Sequence, residues 1–350
     1  MIHEKHDFFE FSADSQRVRA NLEQSYFAWV DAKREDEALP TSMYWSSKDG
    51  TDYLHCKKTS QDNGSSLGRR SAETEAKFNH YTVQKTRLKE RIRTMDAQVS
   101  ERAGLYRRLR LPSIPDRQAE ILRKLDIENM LGTDLMVVGA NAFVAYELAC
   151  GARFPTGNEE TEDFDMAWCR GTKASLLSQP GSTKNTPAKS LLGVLKSLDA
   201  SYTINPRKPY QAINKTGYEV ELLAAPSTHP LPKHEPFEPM VTLIEQEWLL
   251  MGIPLSVVVA TVRGRACPLY VPDPRWMALH KLWLAQKPER NPAKKPKDQR
   301  QGDVLLDAVR YFLNDTHPIN VDFVLSLPEE LQPHFNGWCE SRHFVPQTGE

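Results

Sequence analysis

Val137-Val138-Gly139-Ala140-Asn141, followed at Asp163-Phe164-Asp165 by two acids one residue apart, are the segments that decide how this chain is read. Side chains alternate between the faces of an extended strand, so a strand over 161–168 would set Asp163 and Asp165 on one face and Phe164 and Met166 on the other. Two carboxylates that converge repel each other unless a cation lies between them. Hard oxygen ligands facing a groove suit Mg²⁺, which keeps waters and substrate phosphates in its remaining positions. Ahead of them, a short apolar strand over 134–138 meets a glycine and then a helix starting at Ala140. The free amides of such a turn point at incoming anionic oxygens, and Asn141 can add a side-chain hydrogen bond. A third acidic strand, Glu219-Val220-Glu221-Leu222, carries both of its acids on one face. Together these parts suit a triphosphate site.

A chain of 350 residues can bury a sizeable core, and its net charge of −1 means that any basic surface must be local. The five cysteines, Cys56, Cys150, Cys169, Cys267 and Cys339, are odd in number and form no C-x-x-C pair, the pattern of reduced thiols in a cytosolic protein. No apolar run approaches the roughly 18 residues of a membrane helix, and Met1-Ile2-His3-Glu4-Lys5 lacks a signal core, so a soluble cytoplasmic protein with no membrane partner is expected. The ten histidines show no zinc-ligand spacing. There is no Gly-x-Ser-x-Gly elbow, and the turn at Gly139 lacks the further glycines of a dinucleotide fingerprint.

Three regions follow from the patterning: a mostly helical 1–112 with a hairpin, an α/β core over 113–272, and a helical 273–350. In the first, spacing predicts a helix over 16–32, a hairpin across Lys48-Asp49-Gly50, and a long helix over 75–110 that is basic on average and starts near Ser71. Beyond Pro115 the expectation is a helix over 118–130, strands over 134–138 and 163–168, helices over 140–150 and 191–198, and strands over 201–204, 210–213 and 218–223. A hairpin is expected across Arg263-Gly264-Arg265, and mobile loops over 157–162 and 178–187. The fold class is thus α/β, a small mixed sheet flanked by helices. From Asp273 onward, Trp276, Leu279, Leu282 and Trp283 give a helical apolar stripe.

In order and combination the segments resemble the polymerase-beta-like nucleotidyltransferase superfamily, whose signature is a glycine turn, then Asp-x-Asp on a strand, then a third acid on a later strand. The likeness extends to a bacterial branch of minimal nucleotidyltransferases with an N-terminal helical extension, through Ala145-Tyr146-Glu147, Lys215-Thr216-Gly217-Tyr218, Pro272-Asp273-Pro274-Arg275 and Ala278-Leu279-His280-Lys281-Leu282. It covers most of 111–313. It implies transfer of a nucleoside monophosphate from a nucleoside triphosphate such as ATP to an acceptor hydroxyl on RNA such as tRNA, on protein or on a small molecule. By that resemblance Asp163, Asp165 and Glu221 hold two Mg²⁺ (or Mn²⁺) ions and are catalytic. Gly139, Ala140 and Asn141 seat phosphates. Lys281 and the basic stretch Lys287, Arg290, Lys294, Lys295 and Lys297 are triphosphate or acceptor contacts. Gly-Ala-Asn replaces the commoner glycine-serine turn, Gly139 and Asp163 stand farther apart than in compact members, and Glu221 occupies a place where aspartate is usual.

Plainer readings stand beside these. An isolated Asp-x-Asp often only solvates a strand end, and the glycine turn and acidic third strand are what reverse that preference. Glu219 reads as the solvated neighbour of Glu221, and Lys281 as a lysine snorkelling from an amphipathic helix unless the resemblance gives it a phosphate. The run over 287–297 resembles an ordinary solvated loop. The basic helix could track RNA, but a charged outer helix with internal ion pairs is the favoured reading. The alternative function is an inactive nucleotide- or nucleic-acid-binding module on the same fold.

Overall fold

Serine side chains start the two long N-terminal helices. A two-residue strand, β1 (Phe9–Glu10), leads into α1 (Ala13–Ala38), where the Ser12 hydroxyl accepts the Ser15 amide. The computed structural model describes residues 2–58, 62–155, 173–178, 190–228 and 243–346. After α1 come β2 (Ser42–Lys48), β3 (Thr51–Lys57) and β4 (Ser65–Arg69), an antiparallel sheet in that order. The turn at Asp49-Gly50 has φ of 50° and 74°, the left-handed pair that matches strand twist in a two-residue hairpin. The hairpin follows the sequence reading. The third strand does not, because Ser65-Ser66-Leu67-Gly68-Arg69 carries little strand propensity and pairs through an irregular register. Ser71 then caps α2 (Ala72–Arg108) by accepting the Thr74 amide.

The chain continues through β5 (Ser113–Ile114), α3 (Asp116–Ile127), β6 (Leu135–Val137), a 3₁₀ turn at Gly139–Ala142, α4 (Phe143–Cys150), β7 (Ala152–Arg153) and β8 (Lys173–Ser178). Then follow α5 (Leu191–Leu198), β9 (Thr203–Asn205), β10 (Lys208–Ile213), β11 (Glu219–Leu223), β12 (Leu255–Thr261) and β13 (Ala266–Val271). The last helices are α6 (Pro274–Gln286), α7 (Lys295–Phe312), α8 (Val321–Leu325) and α9 (Gln332–Arg342). Among the described residues five strands form one mixed sheet, ordered β6-β8-β11-β10-β9, in which β8 and β11 run parallel and the other neighbours antiparallel. This is the α/β core that the patterning predicts. The expected strand over 163–168 and the expected loops over 157–162 and 179–187 lie outside the described residues. Ser178, expected to open a loop, instead ends β8, a strand absent from the sequence reading.

A second sheet, β13-β12-β5, receives α1 and α2 from the N-terminal region and α4 from the core. Consequently one hydrophobic cluster runs from Phe8, Leu22 and Tyr26 through Val137, Leu176 and Val220 to Leu279, Leu305 and Trp338. The join between α1 and α3 is polar at its centre. Buried Asp126 accepts the Tyr26 hydroxyl at 2.8 Å and Arg34 Nη2 at 2.8 Å. Cys56, Cys150, Cys267 and Cys339 are free thiols, and Cys169 lies outside the described residues. Among the described residues no helix is long and apolar enough to cross a membrane.

Helices α6 and α7 pack so closely that a Cβ on Gly302 would stand 2.5 Å from Leu282 Cγ and 2.8 Å from the Ala278 carbonyl oxygen. His280 lies on the same helix, buried, with its ring stacked on Trp283 and edge-on to Trp248. Neither ring nitrogen has a hydrogen-bond partner among the described residues. Burial, reinforced by Lys281, Arg290 and Lys287 and opposed by Asp298, lowers its pKa to about 3.

Two predictions follow from this helix pair. Gly302→Ala should destabilise the protein by about 1–3 kcal/mol through overpacking, whereas Gly104→Ala in α2, where a Cβ meets nothing within 4 Å among the described residues, should stabilise it by about 0.5–1 kcal/mol. Thermal unfolding of both variants checks the contrast, and equal effects would contradict the packing described. The second concerns acid. Between the unfolded value of 6.5 and the folded value of about 3, the unfolded chain binds a proton at residue 280 that the folded protein refuses. Stability should therefore fall as pH drops through that window, by up to about 1.4 kcal/mol per pH unit. Urea unfolding of wild type and His280→Phe at several pH values reads the slope, which the variant should lessen by one proton.

Candidate active site

Gly139 follows β6 after the single residue Val138 and has φ of +76°, a left-handed conformation that side chains other than glycine resist. Among the described residues a Cβ there would meet nothing within 4 Å, and the positive φ is itself enough to select glycine. Asn141 and Ala142 are buried, and Phe143 through Tyr146 anchor α4 in the core. The Tyr146 hydroxyl donates to the Pro272 carbonyl at 3.0 Å, tying α4 to the residue before the Asp273 cap of α6.

Register brings the acidic strand to the same end of the sheet. Val137 of β6 lies opposite Leu176 of β8, and Leu176 lies opposite Leu222 of β11. Moving from Val137 toward Gly139 corresponds to moving back along β8 and β11, toward Ser175 and Glu221 and then toward Glu219. Since β6 and β11 flank β8, two strand spacings separate them, roughly 10 Å. Val220 and Leu222 are buried on one face of β11, whereas Glu219 and Glu221 share the other and are partly exposed.

A cross-strand partner holds Glu221. Gln211 of β10 lies directly opposite and is 1% exposed; its Nε2 donates to Glu221 Oε1 at 3.2 Å, and its Oε1 accepts from Asn205 Nδ2 at 3.3 Å. The turn before β11 is fixed too. Asn214 Oδ1 accepts the amides of Thr216 and Tyr218, and Asn214 Nδ2 donates to Asp199, which also pairs with Arg117. Sequence reading missed Gln211, because only strand register reveals that it faces Glu221.

Asp163 and Asp165 lie outside the described residues. Among the described residues no group of three or more His, Cys, Asp or Glu side chains could hold a metal. The donors that are placed, Glu219 and Glu221, are hard oxygen ligands of the kind Mg²⁺ or Mn²⁺ takes, and their half-exposed face leaves them accessible, so they fit such an ion as part of a larger set.

Lys281 and Arg290 converge on one buried carboxylate. Lys281 Nζ stands 2.9 Å from Asp298 Oδ1, and Arg290 reaches Oδ2 through Nε at 2.7 Å and Nη2 at 2.5 Å. The lysine does not snorkel: its side chain is 7% exposed, and burial lowers its pKa against the opposing pull of Asp298. The run over 287–297 is partly helix. Lys295, Pro296 and Lys297 form the first turn of α7, where a proline's missing amide costs no hydrogen bond. Lys287 pairs with Glu245 at 2.8 Å and lies over the Trp283 ring. Gln301, one turn after Asp298, is 1% exposed, and neither atom of its amide has a partner among the described residues. Asp298 and Gln301 escaped the sequence reading, although their three-residue spacing puts Gln301 on the helix face of the acid that Lys281 meets.

No curated protein and no solved structure matches this chain. The model of a family described as Nucleotidyltransferase matches residues 116–317, a stretch that holds the Gly139 turn, the Asp163-Phe164-Asp165 segment, the acidic β11 and the Lys281–Asp298 pair. With more than half of its length matched, the chain belongs to that nucleotidyltransferase family.

Proposed function

We propose that the protein transfers a nucleoside monophosphate from a nucleoside triphosphate to an acceptor hydroxyl and releases pyrophosphate. The observation that carries this reading is the shared sheet end of the Gly139 turn and Glu221, in a chain of the nucleotidyltransferase family. The amides of Gly139, Ala140 and Asn141 would donate hydrogen bonds to phosphate oxygens, as the first amides of a helical turn do for anions. Asp163, Asp165 and Glu221 would hold two Mg²⁺ or Mn²⁺ ions. Bound there, such ions neutralise phosphate charge and acidify the acceptor hydroxyl.

The acceptor oxygen forms its bond to the α-phosphorus as the bond from that phosphorus to the bridging oxygen of the β-phosphate breaks. The hydroxyl proton would leave to Glu221 or to water. Gln211 fixes the orientation of the Glu221 carboxylate by donating to one of its oxygens. Lys281 and Arg290 share the single negative charge of Asp298, so this trio keeps one net positive charge for the triphosphate or acceptor. Positioning and charge neutralisation carry most of the catalysis in phosphoryl transfer, so the acids dominate the rate. RNA such as tRNA, a protein hydroxyl and a small molecule are the acceptor classes, and cytoplasmic location agrees with reduced thiols.

Incubating the protein with each α-labelled nucleoside triphosphate, Mg²⁺ or Mn²⁺, and cellular RNA and protein should incorporate label with a preferred base and acceptor. Asp163→Ala/Asp165→Ala should lower incorporation by about 10³-fold or more, and Gln211→Ala by about tenfold with the protein still folded. Tight triphosphate binding without turnover in wild type would replace the enzyme by a binding module, and label retained in the double variant would sink the assignment of the aspartates.

A further inference from the structure

The three-stranded sheet β2-β3-β4 has two unlike faces. On one, Trp45 packs against Phe78 of α2 with ring centroids 5.9 Å apart, Leu54 and Cys56 are buried, and Asp52 pairs with Arg70. The register puts different residues on the other. Tyr44 lies opposite His55, Lys48 opposite Thr51, Lys57 opposite Ser42, and Tyr53 is flanked by Ser46 and Arg69. The outer face therefore carries Tyr44, Tyr53, His55, Lys48, Lys57 and Arg69, and its strand positions hold no acid. Tyr44 is 37% exposed and stacks on His55 at 5.6 Å, with Lys57 Nζ 5.8 Å from its ring centre. Lys48 and Arg69 are exposed. Asp62, in the connection to β4, accepts the amides of Lys58 and Gly64.

Charge is segregated on a larger scale as well. Residues 42–110 hold 15 Lys and Arg against 8 Asp and Glu, a surplus of +7 in a chain whose net charge is −1. Part of that surplus is absorbed on α2, where Lys85 pairs with Asp36 and Arg91 with Glu35 of α1. On the sheet face Lys57 lies over the Tyr44 ring, while Lys48 and Arg69 are exposed.

We infer that the outer face of β2-β3-β4 binds single-stranded RNA. Aromatic rings set among cations on an open sheet suit exposed bases and the phosphates between them, whereas a duplex hides its base faces in its own stack. The hydroxyls of Ser46 and Ser66, on the same face as the tyrosines, supply donors and acceptors for a ribose 2′-hydroxyl. This inference stands apart from the transfer chemistry, because none of its residues belongs to the candidate active site.

Fluorescence anisotropy with a labelled single-stranded RNA of about twelve nucleotides tests it on the full chain. Three phosphate contacts predict affinity falling roughly twentyfold between about 50 and about 200 mM salt. Tyr44→Ser/Tyr53→Ser should weaken binding by about tenfold or more, and Lys48→Ser/Arg69→Ser should flatten the salt dependence. If circular dichroism shows the tyrosine variant unfolded, the lysine–arginine variant, altered only at exposed positions, decides. The duplex of the same sequence, the corresponding DNA strand and poly-glutamate should each compete at least about tenfold less well. Equal competition by any of them, an equal loss from Arg87→Ser/Arg93→Ser on α2, or no binding by wild type overturns the assignment. Binding should survive in Asp163→Ala/Asp165→Ala, so loss of transfer and loss of RNA binding are read separately.

Discussion

Backbone pairing along β8 is the constraint on which the candidate site depends. This strand is antiparallel to β6 on one side and parallel to β11 on the other, so one ladder sets the Gly139 turn and another sets Glu221. Leu176 and Leu177 are fully buried, which is worth about 1.5–3 kcal/mol for each side chain and makes slippage expensive. A shift by one residue would turn both leucines to the opposite faces and would reverse which faces β8 and its neighbours bury together. The chemistry at the sheet end is thus guarded by hydrophobic burial in the sheet middle.

A second constraint acts through charge. Asp298 is almost fully buried between α6 and α7, and two cations reach it from different places in sequence, Lys281 on α6 and Arg290 in the connection. Burying an ion costs several kcal/mol, and the pair returns that only when the geometry and remaining hydrogen bonds are good. Removing Asp298 would leave Lys281 buried and uncompensated. The close approach of the helices at Gly302 brings their chains near enough for this pairing, so a packing feature and an electrostatic one support each other. His280, beside Lys281 and held neutral, shows how strongly this region disfavours additional positive charge.

Local chemistry made much of the fold legible. Asp49-Gly50 announces a hairpin because both residues tolerate positive φ, Ser71 announces a helix because its hydroxyl satisfies an end amide, and Arg263-Gly264-Arg265 separates β12 from β13. Glu219 and Glu221 could be placed on one face from strand alternation alone. What could not be read were the long-range partners. β8 is assigned by its pairing with strands more than thirty residues away on either side, and nothing within Lys173-Ala174-Ser175-Leu176-Leu177-Ser178 states which neighbours it takes. Gln211 and Asp298 are invisible for the same reason: each matters through the side chain it faces, and facing is set by register and helix packing. Lys281 was legible as a residue of interest but not as a buried one, since helical periodicity cannot distinguish a lysine that reaches solvent from one that meets an acid on the next helix.

Net charge concealed the most useful electrostatic feature. A value of −1 argues against a polyanionic partner only if charge is spread evenly, and here residues 42–110 carry +7 while the remainder carries −8. Screening at physiological salt acts over about 8 Å, so a surface responds to its own neighbourhood and not to the sum over the chain. Helix α2 of the basic region pairs its cations with acids of α1, which lies outside that region, and this uses charge to hold two helices together. The sheet packed on α2 turns its acid, Asp52, toward the helix side and leaves tyrosines, histidine, lysines and arginine on the other. Period-two alternation therefore does two jobs in one small sheet: it buries the residues that attach the sheet to α2, and it gathers aromatic rings and cations on the free face.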